Sequence, residues 1–404
     1  MKLQNLCQTS FRANKMPSSQ AKYVDSQLRN AKNIDIISHS STDRDGLNSA
    51  IAMWEYLSEL GINARIIIDQ KNLNSLYPRR TDCNIIQANE TEKINSITPD
   101  ITFCVDFGEK ERINKNLVAH AQQSGKIMGF DHHIGNDMVD ENSILLTKSF
   151  DKHDVPKSRV AYYTDASAPS TTSIVYRFFE SIGKEIDKDT AYDLFFGLVD
   201  DGVKRGLIIC DGKRGIISPK AELMNDKNAY EIYISLISKL NSLQTDRIAK
   251  AIDIMSSLTP EEEKFQQSLY KNLKLSPNKK IAYVEIPPDD KTWQSLGGEN
   301  ARTSTILNRF RQKVLKNDFD DERLNNVEAA FVFYEANQVY RLSAHTKKPD
   351  LLKFYDYIED YKIDDFTQNA GGHPARGGAR LLSIDKDECH NWVEKIISCD
   401  NFWQ

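Results

Sequence analysis

Residues 34–46, Ile-Asp-Ile-Ile-Ser-His-Ser-Ser-Thr-Asp-Arg-Asp-Gly, constrain this chain more than any other stretch. An apolar, strand-like run ends in a short loop carrying His39, Asp43 and Asp45. Residues 47–60 follow with apolar side chains at Leu47, Ala50, Ile51, Trp54 and Leu57, the three-and-four spacing of a helix buried on one face. Strand, loop and helix make the repeating unit of an open α/β sheet, whose ligands bind at the carboxyl ends of the strands. His39, Asp43 and Asp45 therefore stand where a site is expected. Carboxylate oxygens suit hard divalent cations, and an imidazole shifts the preference toward Mn, Fe or Zn.

Three further runs, 64–68, 101–108 and 126–133, read as strands; the second carries Asp106 near its end, and the third ends in Asp131-His132-His133. They lack clean alternation and are separated by helix-length segments, which indicates a parallel sheet buried on both faces. Pro169 precedes a helix running through Val175 and Phe178, with Ser170 or Thr171 as its N-cap. Another helix, near 190–199, delivers Asp200 and Asp201, followed by Gly202. From 217 to 275 the pattern is helical and charged with no strand expected, and 257–263 reads as a cap with an acidic first turn. Strand character returns at 281–286, 329–334 and 339–343, with a basic helix at 302–316 whose ordinary explanation is a solvated face. A glycine-rich element at 369–378, a strand at 379–384 and an amphipathic helix at 388–397 close the chain.

The fold expected is thus α/β. An N-terminal extension (1–30) precedes a parallel-sheet domain (31–216), and a helical connector (217–275) leads to a smaller α/β domain (276–404). Two domains are natural for 404 residues. A formal net charge of -5 argues against a general nucleic-acid coat while allowing a local basic groove. Six cysteines without paired spacing exclude a zinc ribbon or disulfide framework and fit a reducing cytoplasm. No apolar run approaches membrane-spanning length. The N-terminus carries Lys2, Arg12, Lys15 and Lys22 with no acid before Asp25, but no secretory apolar region; it reads as a frayed end rather than a transit peptide.

Three strand ends and one helix end bring together His39, Asp43, Asp45, Asp106, His132 and Asp201. Each alone has an ordinary explanation, an Asp after a strand being commonly a helix cap. Jointly that account weakens, since carboxylates gathered at one sheet edge repel unless a cation neutralises them. The set is large enough for two metals sharing a bridging carboxylate, and such a pair, about 3.5–4 Å apart, clamps the attacking and leaving oxygens of a phosphoryl displacement. Consecutive glycines at Gly371-Gly372 would let backbone approach an anion, with His373 adding a hydrogen bond or charge.

The motifs resemble those of the DHH phosphoesterases with their associated C-terminal domain. Residues 39–46 look like the first motif, Val105-Asp106 the second, and Asp131-His132-His133 the signature that names the family. Residues 197–202 resemble the fourth motif, and 370–374 the glycine-rich element of the C-terminal domain. The resemblance runs from about Ile34 to Leu382 with the motifs in order, and places the active site in a cleft between the domains. It implies two manganese ions, magnesium and cobalt being alternatives. One would be held by His39, Asp43 and Asp106, the other by Asp45, Asp106, His132 and Asp201, with Asp106 bridging. His133 would face the scissile phosphate, Asp131 would orient a histidine, and a metal-activated water would attack. Thr42, Ala370 and Gly202 depart from common family residues without removing a ligand. Relatives often have an Arg near His345, so substrate recognition would rest on Arg341, His345 or Arg376, beside Gly371, Gly372 and His373.

The activity so implied is a two-metal phosphodiesterase acting on short oligonucleotides or linear dinucleotides, with phosphoadenosine-phosphate phosphatase activity as a companion and a homodimer compatible with it. Alternatives are a RecJ-type single-strand exonuclease, for whose extra domain the chain has little room, and a cyclic-dinucleotide phosphodiesterase. An inorganic pyrophosphatase is disfavoured by Gly371-Gly372-His373. A haloacid-dehalogenase phosphatase would leave Asp131-His132-His133 unexplained, and a non-enzymatic nucleotide sensor would leave the intact ligand set without use.

Overall fold

A computed structural model describes residues 16–40, 42–69, 83–107, 112–133, 160–165, 167–298, 301–336, 339–348, 351–360, 370–373, 376–381 and 383–403. The chain forms two compact units, Met1–Met255 and Ser256–Gln404. In the first, six parallel strands lie in the order β3-β2-β1-β4-β5-β6. They are β1 (Asn33–Ser40), β2 (Asn63–Asp69), β3 (Ile85–Gln87), β4 (Ile101–Val105), β5 (Lys126–Asp131) and β6 (Val160–Thr164). Alternate residues serve opposite faces, as strand geometry dictates. Ile34, Ile36, Phe103, Val105 and Phe130 enter one core, while Ile37, Ile67, Cys104, Ile127 and Tyr162 enter the other. Both faces are buried, which is why the strands read as continuous apolar runs. The order reverses between β1 and β4, and in such sheets the ligand crevice opens at the carboxyl ends of those two strands.

The larger core is covered by α1 (Ser18–Arg29), α2 (Arg44–Glu59), α4 (Thr171–Ile182) and α5 (Lys188–Lys204), while α3 (Lys115–Gln123) lies on the other face. Of the stretch read as an N-terminal extension, residues 1–15 lie outside the described residues, while α1 buries Ala21, Val24 and Leu28, at helical spacing, in the larger core. Beneath β1 and β2, Arg65 grips Asp35 through two 2.7 Å hydrogen bonds and donates to the carbonyls of Lys93, Ile94 and Ile97. His120 Nε2 lies 2.6 Å from the same carboxylate.

The segment read as a connector divides between the units. Before it, β7 (Ile208–Asp211) pairs with β8 (Ile216–Pro219), which runs into the region where no strand was expected. Ile232 and Leu236 of α6 (Lys227–Ser238), and Ile248 and Ile252 of α7 (Ser242–Ser256), are buried in the first unit's core. Phe265 and Leu269 of α8 (Pro260–Lys271) are buried in the second. Thr259 caps α8 in a capping box with Glu262, with Pro260 opening the helix.

The second unit is built on a sheet ordered β13-β14-β12-β11-β10-β9. Its strands are β9 (Lys274–Leu275), β10 (Ile281–Ile286), β11 (Ala329–Ala336), β12 (Val339–Thr346), β13 (Ala370–His373) and β14 (Arg376–Leu381). Only β10 and β11 are parallel. One face packs on α10 (Leu351–Asp360) and α11 (Lys386–Ser398), and the other on α8 and α9 (Ala301–Lys316). The basic helix α9 is not simply a solvated face: Arg302 binds Glu262 with two N–H groups, Lys313 donates to Gln266, and Arg311 is buried. Among the described residues, no helix is long and apolar enough to cross a membrane.

Candidate metal centre

The carboxyl ends of β1, β4 and β5 and the first turn of α2 meet the end of α5. His39 lies inside β1, where the pairing with β2 shifts register between Ile37 and Ser40; such irregularities re-aim side chains beside functional sites. Asp43 is the N-cap of α2 and accepts from the Gly46 N–H. Gly46 is needed by close approach, since a Cβ there would fall 2.2 Å from Ser38 Oγ. Asp106 follows β4 with φ 67, a left-handed conformation that Asp tolerates better than most residues. Asp200 and Asp201 lie within α5, which runs on to Lys204 rather than ending at Val199.

These groups form two neighbouring sets, His39, Asp43 and Asp106, and Asp45, His132 and Asp201, in each of which the ligand atoms lie within 4.8 Å of one another. Asp106 joins them: its Oδ2 is 3.3 Å from His39 Nε2 and its Oδ1 is 3.3 Å from His132 Nε2. His39 Nε2 is also 3.7 Å from Asp43, and His132 Nε2 is 3.3 Å from Asp201 and 3.6 Å from Asp45. Both rings are set from behind by backbone carbonyls, His39 Nδ1 lying 2.7 Å from Ser40 O and His132 Nδ1 3.3 Å from Ala168 O. A carbonyl at Nδ1 fixes the tautomer and turns Nε2 toward a metal. His39 Nε2 is buried and makes no contact of hydrogen-bonding geometry, the condition a coordinating cation would relieve.

Burial opposes charge on both imidazoles, but the surrounding carboxylates prevail. Asp106 and Asp43 hold His39 up to about 9, and Asp106, Asp201 and Asp45 hold His132 up to about 9. Burial likewise opposes ionisation of Asp106, yet contact with His132 and His39 holds it well below the ordinary carboxylate range. Burial, with Asp106 and Asp201 close by, raises Asp45 well above that range. An acid-rich set of this kind, with aligned imidazoles, fits divalent cations.

Asp131 Oδ1 accepts the His133 backbone N–H at 3.1 Å and lies 2.7 Å from His133 Nδ1, which fixes the ring plane. Burial and the Arg112 guanidinium lower the His133 pKa against the pull of Asp131. Three partners were not foreseen. Thr171 and Thr172, at the start of α4, hold Asp45 through their backbone N–H groups at 2.6 and 2.9 Å, and Thr171 Oγ1 donates to Asp106 at 3.0 Å. Ser170 is the cap of that helix, so its first N–H groups face Asp45. Lys204 Nζ meets Asp43, Asp200 and Asp201. An Asp-Asp-x-x-Lys spacing on a helix was the available signal for it.

The six substrate-binding candidates belong to the second unit. By register His345 pairs with Arg376, and Arg376 with His373; two residues along, Ser343 pairs with Gly378 and Gly378 with Gly371. Arg341 pairs with Arg380 beyond them, so these positions share a sheet face, and Gly372, paired with Gly377, alternates to the other. On the same face β11 supplies Ala330, Val332 and Tyr334, which α9 covers. On β12 that face carries Arg341, Ser343 and His345, the last of them buried. The glycines lie in the hairpin strands β13 and β14, not in a plain turn.

The model of the DHH family's N-terminal domain matches residues 33–198. No curated protein matches the chain. Among solved structures, an exopolyphosphatase-related protein from Bacteroides fragilis superposes with a TM-score of 0.65 at 14% identity, over 96% of this chain and 98% of that one. RecJ from Thermus thermophilus in complex with Mn2+ gives a TM-score of 0.49 at 13% identity, over 96% of this chain and 56% of that one. At such identities the first likeness establishes a shared fold, and the second carries no argument about this chain.

Proposed function

Residues 33–198 match the DHH family's N-terminal domain, and on that likeness we propose that the chain is a DHH-type two-cation phosphodiesterase that releases mononucleotides from short oligonucleotides or linear dinucleotides. Manganese is the preferred ion, and phosphoadenosine phosphate is a companion substrate. The observation that carries this reading is the pose of the two histidines. Each is fixed through Nδ1 by a carbonyl and turns Nε2 into a set of carboxylates, with one Asp106 oxygen facing each ring.

His39, Asp43 and Asp106 would hold one ion, and Asp45, Asp106, His132 and Asp201 the other. When bound, the ions polarise the phosphoryl oxygens and lower the pKa of water to supply a nucleophile near neutral pH. Thr171 and Thr172 keep the Asp45 carboxylate turned inward, and Thr171 also steadies Asp106. Asp131 fixes His133, which is assigned to the phosphate undergoing attack. In the second unit the backbone at Gly371 and Gly372, with Arg341, His345, His373 and Arg376, is assigned to the substrate's phosphates and ends. A reducing cytoplasm is the proposed location, a reading supported by six cysteines without paired spacing.

The test is a substrate panel with Mn2+: a dinucleotide, a pentanucleotide, a long single strand, a cyclic dinucleotide, phosphoadenosine phosphate, pyrophosphate and polyphosphate. Mononucleotide release from the dinucleotide, abolished in Asp106→Ala, is expected. An Asp106→Ala chain with full activity rules the reading out, and preference for the long strand moves it to a RecJ-type exonuclease.

A further inference from the structure

The two cation positions do not exhaust the carboxylates. Asp43, Asp200 and Asp201 form a further set whose oxygens lie within 4.8 Å of one another. Lys204 Nζ reaches all three: it binds Asp43 Oδ2, lies 2.7 Å from Asp200 Oδ2 and donates to Asp201 Oδ1 at 3.2 Å. The helix dictates this, because Asp200 and Asp201 stand four and three residues before Lys204 and share its side of α5. Asp43 arrives from the cap of α2. The distances of 2.7 and 3.2 Å are those of an ammonium hydrogen-bonding to carboxylates; a divalent ion would draw oxygens to roughly 2.0–2.6 Å.

Asp43 and Asp201 each give one oxygen to Lys204 and the other to a histidine, and Asp43 Oδ1 also accepts the Gly46 N–H. Asp43 turns Oδ2 to Lys204 and Oδ1 toward His39; Asp201 turns Oδ1 to Lys204 and Oδ2 toward His132. Asp106 thus joins the two sets on one side, and Lys204 joins them on the other. Resting on the two-cation reading above, we propose that Lys204 is a tethered third cation. Its ammonium fills the place a third divalent ion would take among Asp43, Asp200 and Asp201, and it leaves Asp43 and Asp201 one oxygen each for the resident ions. Lys204 is therefore a positioning residue that sets the metal count. Three carboxylates whose oxygens lie within 4.8 Å of one another repel unless a cation sits among them, so removing the ammonium leaves a place for another cation.

The experiment counts Mn2+ per full-length chain, by calorimetry and by the electron paramagnetic resonance signal of unbound Mn2+. Lys204→Met keeps the length of the stem and removes the charge; it is expected to bind one Mn2+ more than the wild type. Asp200→Asn added to Lys204→Met is expected to abolish the extra ion. Lys204→Gln is the second variant and is read in the same way. The wild-type count judges the two-cation reading, whereas the increment judges Lys204, so either can fail without the other. An unchanged count in the Lys204 variants, or a wild-type chain that already holds three ions, overturns the proposal.

Discussion

Cation uptake by the first unit is expected to release at least two protons per chain at neutral pH. Burial alone would depress both imidazoles, but Asp106 and Asp43 hold His39, and Asp106, Asp201 and Asp45 hold His132, up to about 9 against an ordinary value of 6.5. A metal ligand must be neutral at Nε2, so each ion competes with a proton. From pH 9 down to pH 7, that competition amounts to about 3 kcal/mol per histidine, or roughly 100-fold in apparent affinity. The apparent Kd for Mn2+ at each position should therefore fall about tenfold per pH unit from pH 6.5 to 8.5 and level off above about pH 9. The sign for the metal-free chain is opposite. Because the folded values are raised, the histidines stabilise it fully below about pH 6.5, and that contribution disappears as pH rises through about 9. Calorimetric Mn2+ titrations in buffers of different ionisation enthalpy count the protons directly. A flat affinity between pH 6.5 and 8.5, or no proton release at pH 7, refutes the argument.

Two further outcomes follow from packing. Gly46→Ala places a Cβ 2.2 Å from Ser38 Oγ and 3.5 Å from His39 and Asp106; Mn2+ affinity should drop about 10–100-fold, with Ser38→Ala in the same chain restoring most of it in a titration. Arg65→Met leaves Asp35 buried with His120 alone and strips the carbonyls of Lys93, Ile94 and Ile97 of a donor. A loss of about 3–5 kcal/mol is expected in urea unfolding of the first unit, and a change below about 1 kcal/mol would show the triad to be replaceable.

Much of the first unit was legible because buried parallel strands leave long apolar runs whose ends are marked by charge. His39, Asp106 and Asp131-His132-His133 all fall at such ends. β3, only three residues long, gave no run to see. The extent of α5 was hidden by Gly202, a residue that usually weakens a helix. Here a Cβ at that position would meet Ile208 at 2.5 Å, so packing selects the glycine while the helix continues past it. Ending the helix early concealed Lys204, one turn beyond Asp200. Thr171 and Thr172 were equally hidden, because their role is spent on Asp45, more than a hundred positions earlier, and nothing local in a cap predicts its distant acceptor. The helix at Ser18–Arg29 was hard to see because its polar residues outnumber its apolar stripe, although the stripe's spacing is legible.

The donors of the cluster arrive on β1, α2, β4, β5 and α5, segments that the sheet brings together only when its crossovers are complete. No excised peptide and no half of the first unit contains a full cage. An ion held there fastens strands that are neighbours in space and strangers in sequence, so its departure is felt as weakened resistance of the whole sheet to opening, rather than as the fraying of one loop.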